Sequence, residues 1–139
     1  MAIRRNSRKG TTLIEFCFVL VPLLGLIVGS IEMDRFLLSY NAIGEAARAG
    51  VRYAVVNGYY GNGSAACGTT TTDNIKSVVK TFAAMGMLDP NRVNTVVTYA
   101  NCNVGSPVSI YVSYPYDPFT SFFPLTVNLA STANGTFAF

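Results

Sequence analysis

The chain contains no histidine and no tryptophan, and only three cysteines among its 139 residues. Without imidazole it lacks the commonest general base, the commonest zinc ligand and every catalytic triad built on histidine. Charge is scarce too, at 12% of residues, against about 25% in an ordinary soluble domain. Arg4, Arg5, Arg8 and Lys9 supply four of the ten basic residues, and beyond Gly10 six basic residues stand against seven acidic ones. The net charge of +3 therefore belongs to a short N-terminal tail. The body lacks the basic surface that nucleic acid phosphates require, so nucleic acid is not expected as a partner. Past residue 57 the only carboxylates are Asp73, Asp89 and Asp117. Each sits alone beside turn or capping residues, with no spacing for acid–base work, so neither an enzyme nor a cofactor or metal site is expected. A chain of this length holds one modest core, which leaves no room for a second large domain.

What is present begins directly after the basic tail. Leu13 to Ile31 reads LIEFCFVLVPLLGLIVGSI, interrupted only by Glu15. About 20 apolar residues cross a bilayer as a helix, and the span between Lys9 and Glu32 is long enough if Thr11, Thr12 and Glu15 sit near the interface. Basic residues stay on the cytoplasmic side, which predicts that everything from Glu32 onward is extracytoplasmic. A cleaved secretory signal is the rival reading, with Val28 and Ser30 as small residues before a cut. Against it, the helical pattern continues: Leu38, Ala42, Ala46, Ala49 and Tyr53 fall on one face, with Ile43, Ala47, Val51 and Ala54 beside it. A twin-arginine export signal fits less well, because no apolar dipeptide follows closely on Arg4 and Arg5. The pattern predicts one helix from about Thr12 to about Val56, membrane-embedded first and amphipathic afterwards, with a kink at Pro22.

Glu15 stands out in this run. A carboxylate costs about 2.5 to 3.5 kcal/mol at the bilayer centre and less near the interface, so it needs a partner or a purpose. A plain explanation is available, since an acid in the first turn complements the helix dipole and Arg8 or Lys9 could pair with it.

Arg8-Lys9-Gly10 followed by Thr11-Thr12-Leu13-Ile14-Glu15-Phe16 resembles the processing site of type IV prepilins. There a short basic leader ends in glycine, and a glutamate stands five residues past the cut at the start of an apolar helix. Glu15-Phe16, Pro22, Ile31-Glu32 and the string Ala46-Ala47-Arg48-Ala49-Gly50-Val51-Arg52-Tyr53-Ala54 are similar to the TadE-like minor pilins of the tight-adherence (Tad, Flp or type IVc) pilus. The resemblance covers about the first 57 residues. It implies that a prepilin peptidase of the inner membrane cuts between Gly10 and Thr11, removing the four basic residues and creating an ammonium at Thr11. It further implies that Glu15 pairs with such an amine on a neighbouring subunit and docks it. The expected partners are inner-membrane lipid, the prepilin peptidase, other pilin and minor pilin subunits, and the Tad assembly platform.

On this reading the chain divides into a basic leader (1–10), a long transmembrane and amphipathic helix (11–57), and an extracytoplasmic head (58–139). Residues 57 to 72, NGYYGNGSAACGTTTT, carry no periodicity and read as a loop, the threonine run included. A second helix is expected from Asp73 to Met85, capped by Thr72 or Asp73, lined by Ile75, Val78, Val79, Phe82 and Met85, and ended by Gly86. Asp89-Pro90-Asn91 then turns the chain. Strands are expected at Arg92 to Tyr99, Val108 to Tyr114, and Leu125 to about Ala133. The fold class is α+β, type IV pilin-like, with a small antiparallel sheet packed on the long helix and on the short one. Cys17 reads as a small apolar residue of the membrane run. Cys67 and Cys102 lie in polar loops of the exported part, where an oxidising compartment favours a disulfide, with two free thiols as the alternative. The aromatic run YVSYPYDPFTSFFP is assigned to the core or to a loop packed on it. The sequons at Asn62 and Asn134 are read as loop chemistry. Two functions remain open: a minor pilin or pseudopilin that primes or joins a Tad-type pilus used in adhesion or secretion, and a single-pass anchored binding or sensor protein. Processing at Gly10 separates them, since a simple anchor has no use for it.

Overall fold

A computed structural model describes residues 8–57, 69–99, 105–118 and 126–137. The chain divides into two compact units, Met1–Arg35 and Phe36–Phe139. The element order is α1 (Arg8–Asn57), α2 (Thr69–Met85), β1 (Asn94–Tyr99), β2 (Pro107–Tyr116) and β3 (Val127–Thr136). This is the expected α+β, pilin-like arrangement of one long helix, one short helix and a three-stranded antiparallel sheet.

The first unit is the opening part of α1. The helix assignment runs without a break through Pro22, although proline lacks the N–H that would bond the carbonyl of Phe18. The hydroxyl of Ser30 donates to the carbonyl of Ile27 at 2.9 Å, which satisfies a polar group in an otherwise apolar stretch.

The second unit holds the core. Along α1 the buried residues are Ile43, Ala46, Ala47, Gly50, Val51 and Ala54, three and four apart, so they make one continuous stripe. Leu38, assigned from periodicity to the same face, is exposed. The stripe is small because its neighbours come close. A Cβ on Gly50 would lie 2.7 Å from Val79 Cγ2 and 3.2 Å from Ile110 Cδ1, so only glycine fits between α2 and β2 here.

The sheet order is β1-β2-β3. Val112 pairs with Thr95 and Ser131, Ile110 with Val97 and Ala133, and Val108 with Tyr99 and Gly135. Alternation on β2 buries Val108, Ile110, Val112, Tyr114 and Tyr116, as the period of two requires. The aromatic run thus gives two residues to the core, while Tyr111 on the opposite face is exposed; Phe119, Phe122 and Phe123 lie outside the described residues. Tyr116 meets Phe36 edge to face, with centroids 5.5 Å apart. Pro107 and Pro115, which flank the expected strand from Val108 to Tyr114, lie inside β2. The strand tolerates Pro115 because pairing with β1 ends at Ser113, leaving a neighbour on one side only. Asn134-Gly135-Thr136 likewise belongs to β3 rather than to a loop. Asn62 lies outside the described residues.

Helix α2 begins at Thr69, four residues before the expected start, so the threonine run is helix rather than loop. No glycine or proline between Thr69 and Met85 interrupts the helix. The buried stripe is Ile75, Val79 and Ala83, whereas Phe82 and Met85 of the expected face are exposed. Its C-terminus falls at Met85 as expected, but the turn that closes it is built differently. Met87 N–H bonds the Ala84 carbonyl at 3.0 Å and Leu88 N–H bonds the Ala83 carbonyl at 3.1 Å, the paired bonds of a Schellman end. The left-handed residue of this motif is Met87, with φ 62°, and not the adjacent Gly86. Gly86 is small for another reason: a side chain there would run into Ala42 of α1.

The following turn is held as expected. Asn91 N–H donates to Asp89 Oδ1 at 2.9 Å, and Arg92 N–H to the Asp89 carbonyl at 3.1 Å. Arg92 reaches Asp117 Oδ2 at 2.6 Å and covers the Tyr114 ring at 5.6 Å, tying the entry of β1 to the exit of β2. The hydrogen bond to Asp117 raises the guanidinium pKa above its ordinary value. A raised cation contributes fully below its unfolded value, so this contribution is lost only in strong alkali.

Candidate functional site

The candidate site is the N-terminal part of α1 itself. From Leu13 to Ile31 its large apolar side chains face outward; Phe18 is 78% and Leu26 73% exposed. The helix is long and apolar enough to cross a membrane, and its most apolar window is 0% buried. This distinguishes it from the core helix of a soluble domain, whose apolar stripe would be covered. An exposed apolar cylinder of this kind needs lipid or other helices around it.

Gly10, Thr11 and Glu15 all lie within α1, and Thr11 and Glu15 are exposed. No ion pair among the described residues includes Glu15. Because α1 starts at Arg8, no acid lies in its first turn, and the dipole that would favour Glu15 has faded where it stands. If the chain began at Thr11, Glu15 would sit one turn from a new amine and a new helix end. Cys17 is a free, exposed thiol. Cys67 and Cys102 lie outside the described residues. Among the described residues there is no group of three or more histidine, cysteine, aspartate or glutamate side chains that could hold a metal.

The string Ala46 to Ala54 is accounted for by packing. Its small residues form the buried stripe, and Arg48 and Arg52 point outward. Arg48 Nη1 pairs with Glu45 Oε1 at 2.9 Å on the surface, an arrangement worth little to stability. Sequence reasoning missed a groove beside this pair, about 350 Å³, lined by Tyr40, Asn41, Gly44, Glu45 and Arg48 of α1 and by Ser131 to Asn134 of β3. The available signal was Gly44, a helix-interior glycine with no evident reason in the pattern.

A long N-terminal helix with a naked apolar half, whose other half is packed on a small meander sheet, defines a pilin-like, membrane-anchored α+β protein. Residues 10–52 match the family model described as TadE-like protein. The match begins at Gly10 and takes in Glu15, Pro22 and most of the alanine-rich string. Over this helix, about a third of its length, the chain is similar to TadE-like proteins. No curated protein and no solved structure matches the chain.

Proposed function

We propose that the chain is a minor pilin or pseudopilin that takes part in priming or assembling a Tad-type pilus serving adhesion or secretion. The observation that carries this reading is the exposed apolar segment of α1 preceded by Arg8-Lys9-Gly10 and containing Glu15. The basic leader stays cytoplasmic and the head is exported across the inner membrane. Prepilin peptidase cuts between Gly10 and Thr11, leaving α1 held in lipid. Glu15 then meets the Thr11 ammonium of a neighbouring pilin or minor pilin subunit as the assembly platform draws the helix from the membrane. A buried pair of this kind specifies register more than it adds stability. In the oxidising compartment Cys67 and Cys102 form a disulfide around α2 and β1.

N-terminal sequencing of the protein recovered from membranes of the producing cell is the direct test. A mature chain starting at Thr11 is expected. A start at Met1 would support a plain anchored binding protein, and a start near Ile31 would mean a cleaved export signal; either result removes the pilin reading.

A further inference from the structure

We infer that the outer face of the sheet is a binding surface for a neutral glycan. Alternate residues of the three strands build the core, so the others face away from it. Tyr111 stands at the centre of this outer face, with Val96 opposite it on β1 and Thr132 opposite it on β3. On one side of that row Ser113 lies between Asn94 and Ala130, and on the other Ser109 lies between Thr98 and Asn134. The centre is open to solvent, since Val96 is 47% and Tyr111 42% exposed. Asn94, Thr98, Thr132 and Asn134 are exposed around it. Among the described residues, none of these hydroxyls and amides makes a side-chain hydrogen bond, so all of them are available to a ligand.

The chemistry of the face selects its partner. No residue of the three strands is charged, although a solvated surface is ordinarily about a quarter to a third charged. A polyanion finds no cation here and a basic peptide finds no carboxylate. Lipid and apolar helices need contiguous apolar surface, whereas the one large aliphatic side chain in these rows, Val96, is set among hydroxyls and amides. A stable protein interface takes about 800 Å² from each partner. Three rows across three strands, at about 4.8 Å between strands and about 6.8 Å between same-face neighbours, cover roughly 300 Å².

A sugar matches a face of this size and composition. A pyranose presents an apolar C–H surface, which an aromatic ring covers, and a rim of hydroxyls that both donate and accept hydrogen bonds. Tyr111 supplies the ring. The hydroxyls of Ser109, Ser113 and Thr132 and the amides of Asn94 and Asn134 surround it with groups that likewise donate and accept. Pairing is one to one along both ladders, so these groups recur at regular spacing. That regularity suits a polysaccharide lying along the face, with its own repeating hydroxyls. The inference goes beyond the pilin reading and rests on the second unit alone.

The test is retention of the full-length chain, held in a detergent without a sugar headgroup, on insoluble cellulose, mannan, β-1,3-glucan and chitin. A polygalacturonate gel and polystyrene beads serve as anionic and apolar comparison surfaces. Retention on at least one neutral glycan is expected, unchanged by added salt because no ion pair is involved. Tyr111→Ala should lower it about tenfold or more, while Tyr111→Phe, which keeps the ring, should preserve most of it. Thr132→Val keeps shape and strand preference but removes the hydroxyl beside the ring, and should lower retention about threefold or more. Phe82→Ser, at an exposed position on α2, should change nothing. If Tyr111→Ala also lowers the melting temperature, Thr132→Val decides. No retention on any neutral glycan, equal retention on either comparison surface, loss of retention in salt, or retention unaffected by the deciding variant would each overturn the proposal. So would a dimer in sedimentation that Tyr111→Ala dissolves, since it would assign the face to a second copy. None of these outcomes bears on whether the chain is cut after Gly10, so the pilin reading is judged separately.

Discussion

At the scale of single residues, two side chains work against stability. Thr95 is buried on the inner face of β1, opposite Val112, and its hydroxyl finds no hydrogen-bond partner. A buried, unpaired hydroxyl costs about 1 to 3 kcal/mol. Thr95→Val keeps the branched shape that suits a strand and removes the orphan, so we expect a gain of about 1 kcal/mol, read as a melting temperature a few degrees higher for the full chain in detergent. An unchanged or lower value would mean that Thr95 has a partner we have not found. Met87 is 96% exposed and holds a left-handed backbone, which costs a residue with a Cβ about 1 to 2 kcal/mol. Met87→Gly should stabilise the chain by up to about 1 kcal/mol after the entropy cost of glycine. The neighbouring Gly86→Ala should do the opposite, because its Cβ has Ala42 in the way. If the two variants moved stability the other way round, the glycine and not the methionine would carry the turn.

At the scale of elements, α1, α2 and the sheet meet at Gly50. Val79 and Ile110, which would receive a Cβ there, are both fully buried and cannot swing aside. Gly50→Ala therefore sets about 1 to 3 kcal/mol of overpacking against about 1 kcal/mol of helix propensity; a net loss is expected, seen as a lower denaturant midpoint. A second element-scale test concerns the pair that would brace α2 and β1. Alkylation without reductant should label neither Cys67 nor Cys102, and reduction should expose both and remove about 4 kcal/mol in the loop-entropy model. Labelling of both before reduction would show free thiols. The elements themselves were legible because their periods are clean: four-residue steps through Ile43, Ala47, Val51 and two-residue steps through β2. Their ends were not. The prolines of β2 break a strand only where both sides are paired, which depends on where β1 stops. The reason for Gly86 lies in Ala42, and the reason for Gly50 in Val79 and Ile110, all distant in sequence. Arg8-Lys9-Gly10 and Glu15 stand out in the sequence because a motif of that kind is local, whereas the groove at Gly44 exists only once α1 and β3 diverge.

At the scale of the whole molecule, the scarcity of charge suits the proposed subunit, whose apolar helix would be surrounded first by lipid and then by other helices, and on that reading Glu15 is the residue that feels the difference. In lipid its carboxylate costs up to about 2.5 to 3.5 kcal/mol, less near the interface, with no ion pair among the described residues to offset it. On the proposed reading it gains the Thr11 ammonium among neighbouring helices, and removing one member of a buried pair costs about 3 to 5 kcal/mol. Both terms push the helix the same way, out of lipid and onto a neighbour. Glu15→Ala relieves the first and deletes the second, so the variant should still be cut after Gly10 and still reach the membrane, yet remain there. We expect the membrane fraction to hold nearly all of the variant, with sheared pili depleted of it by tenfold or more, since about 1.4 kcal/mol already corresponds to a factor of ten. Glu15→Gln, which stays polar but cannot balance the ammonium, should behave like the alanine variant. If it assembled as the unaltered chain does, the charge of Glu15 would have no part in docking.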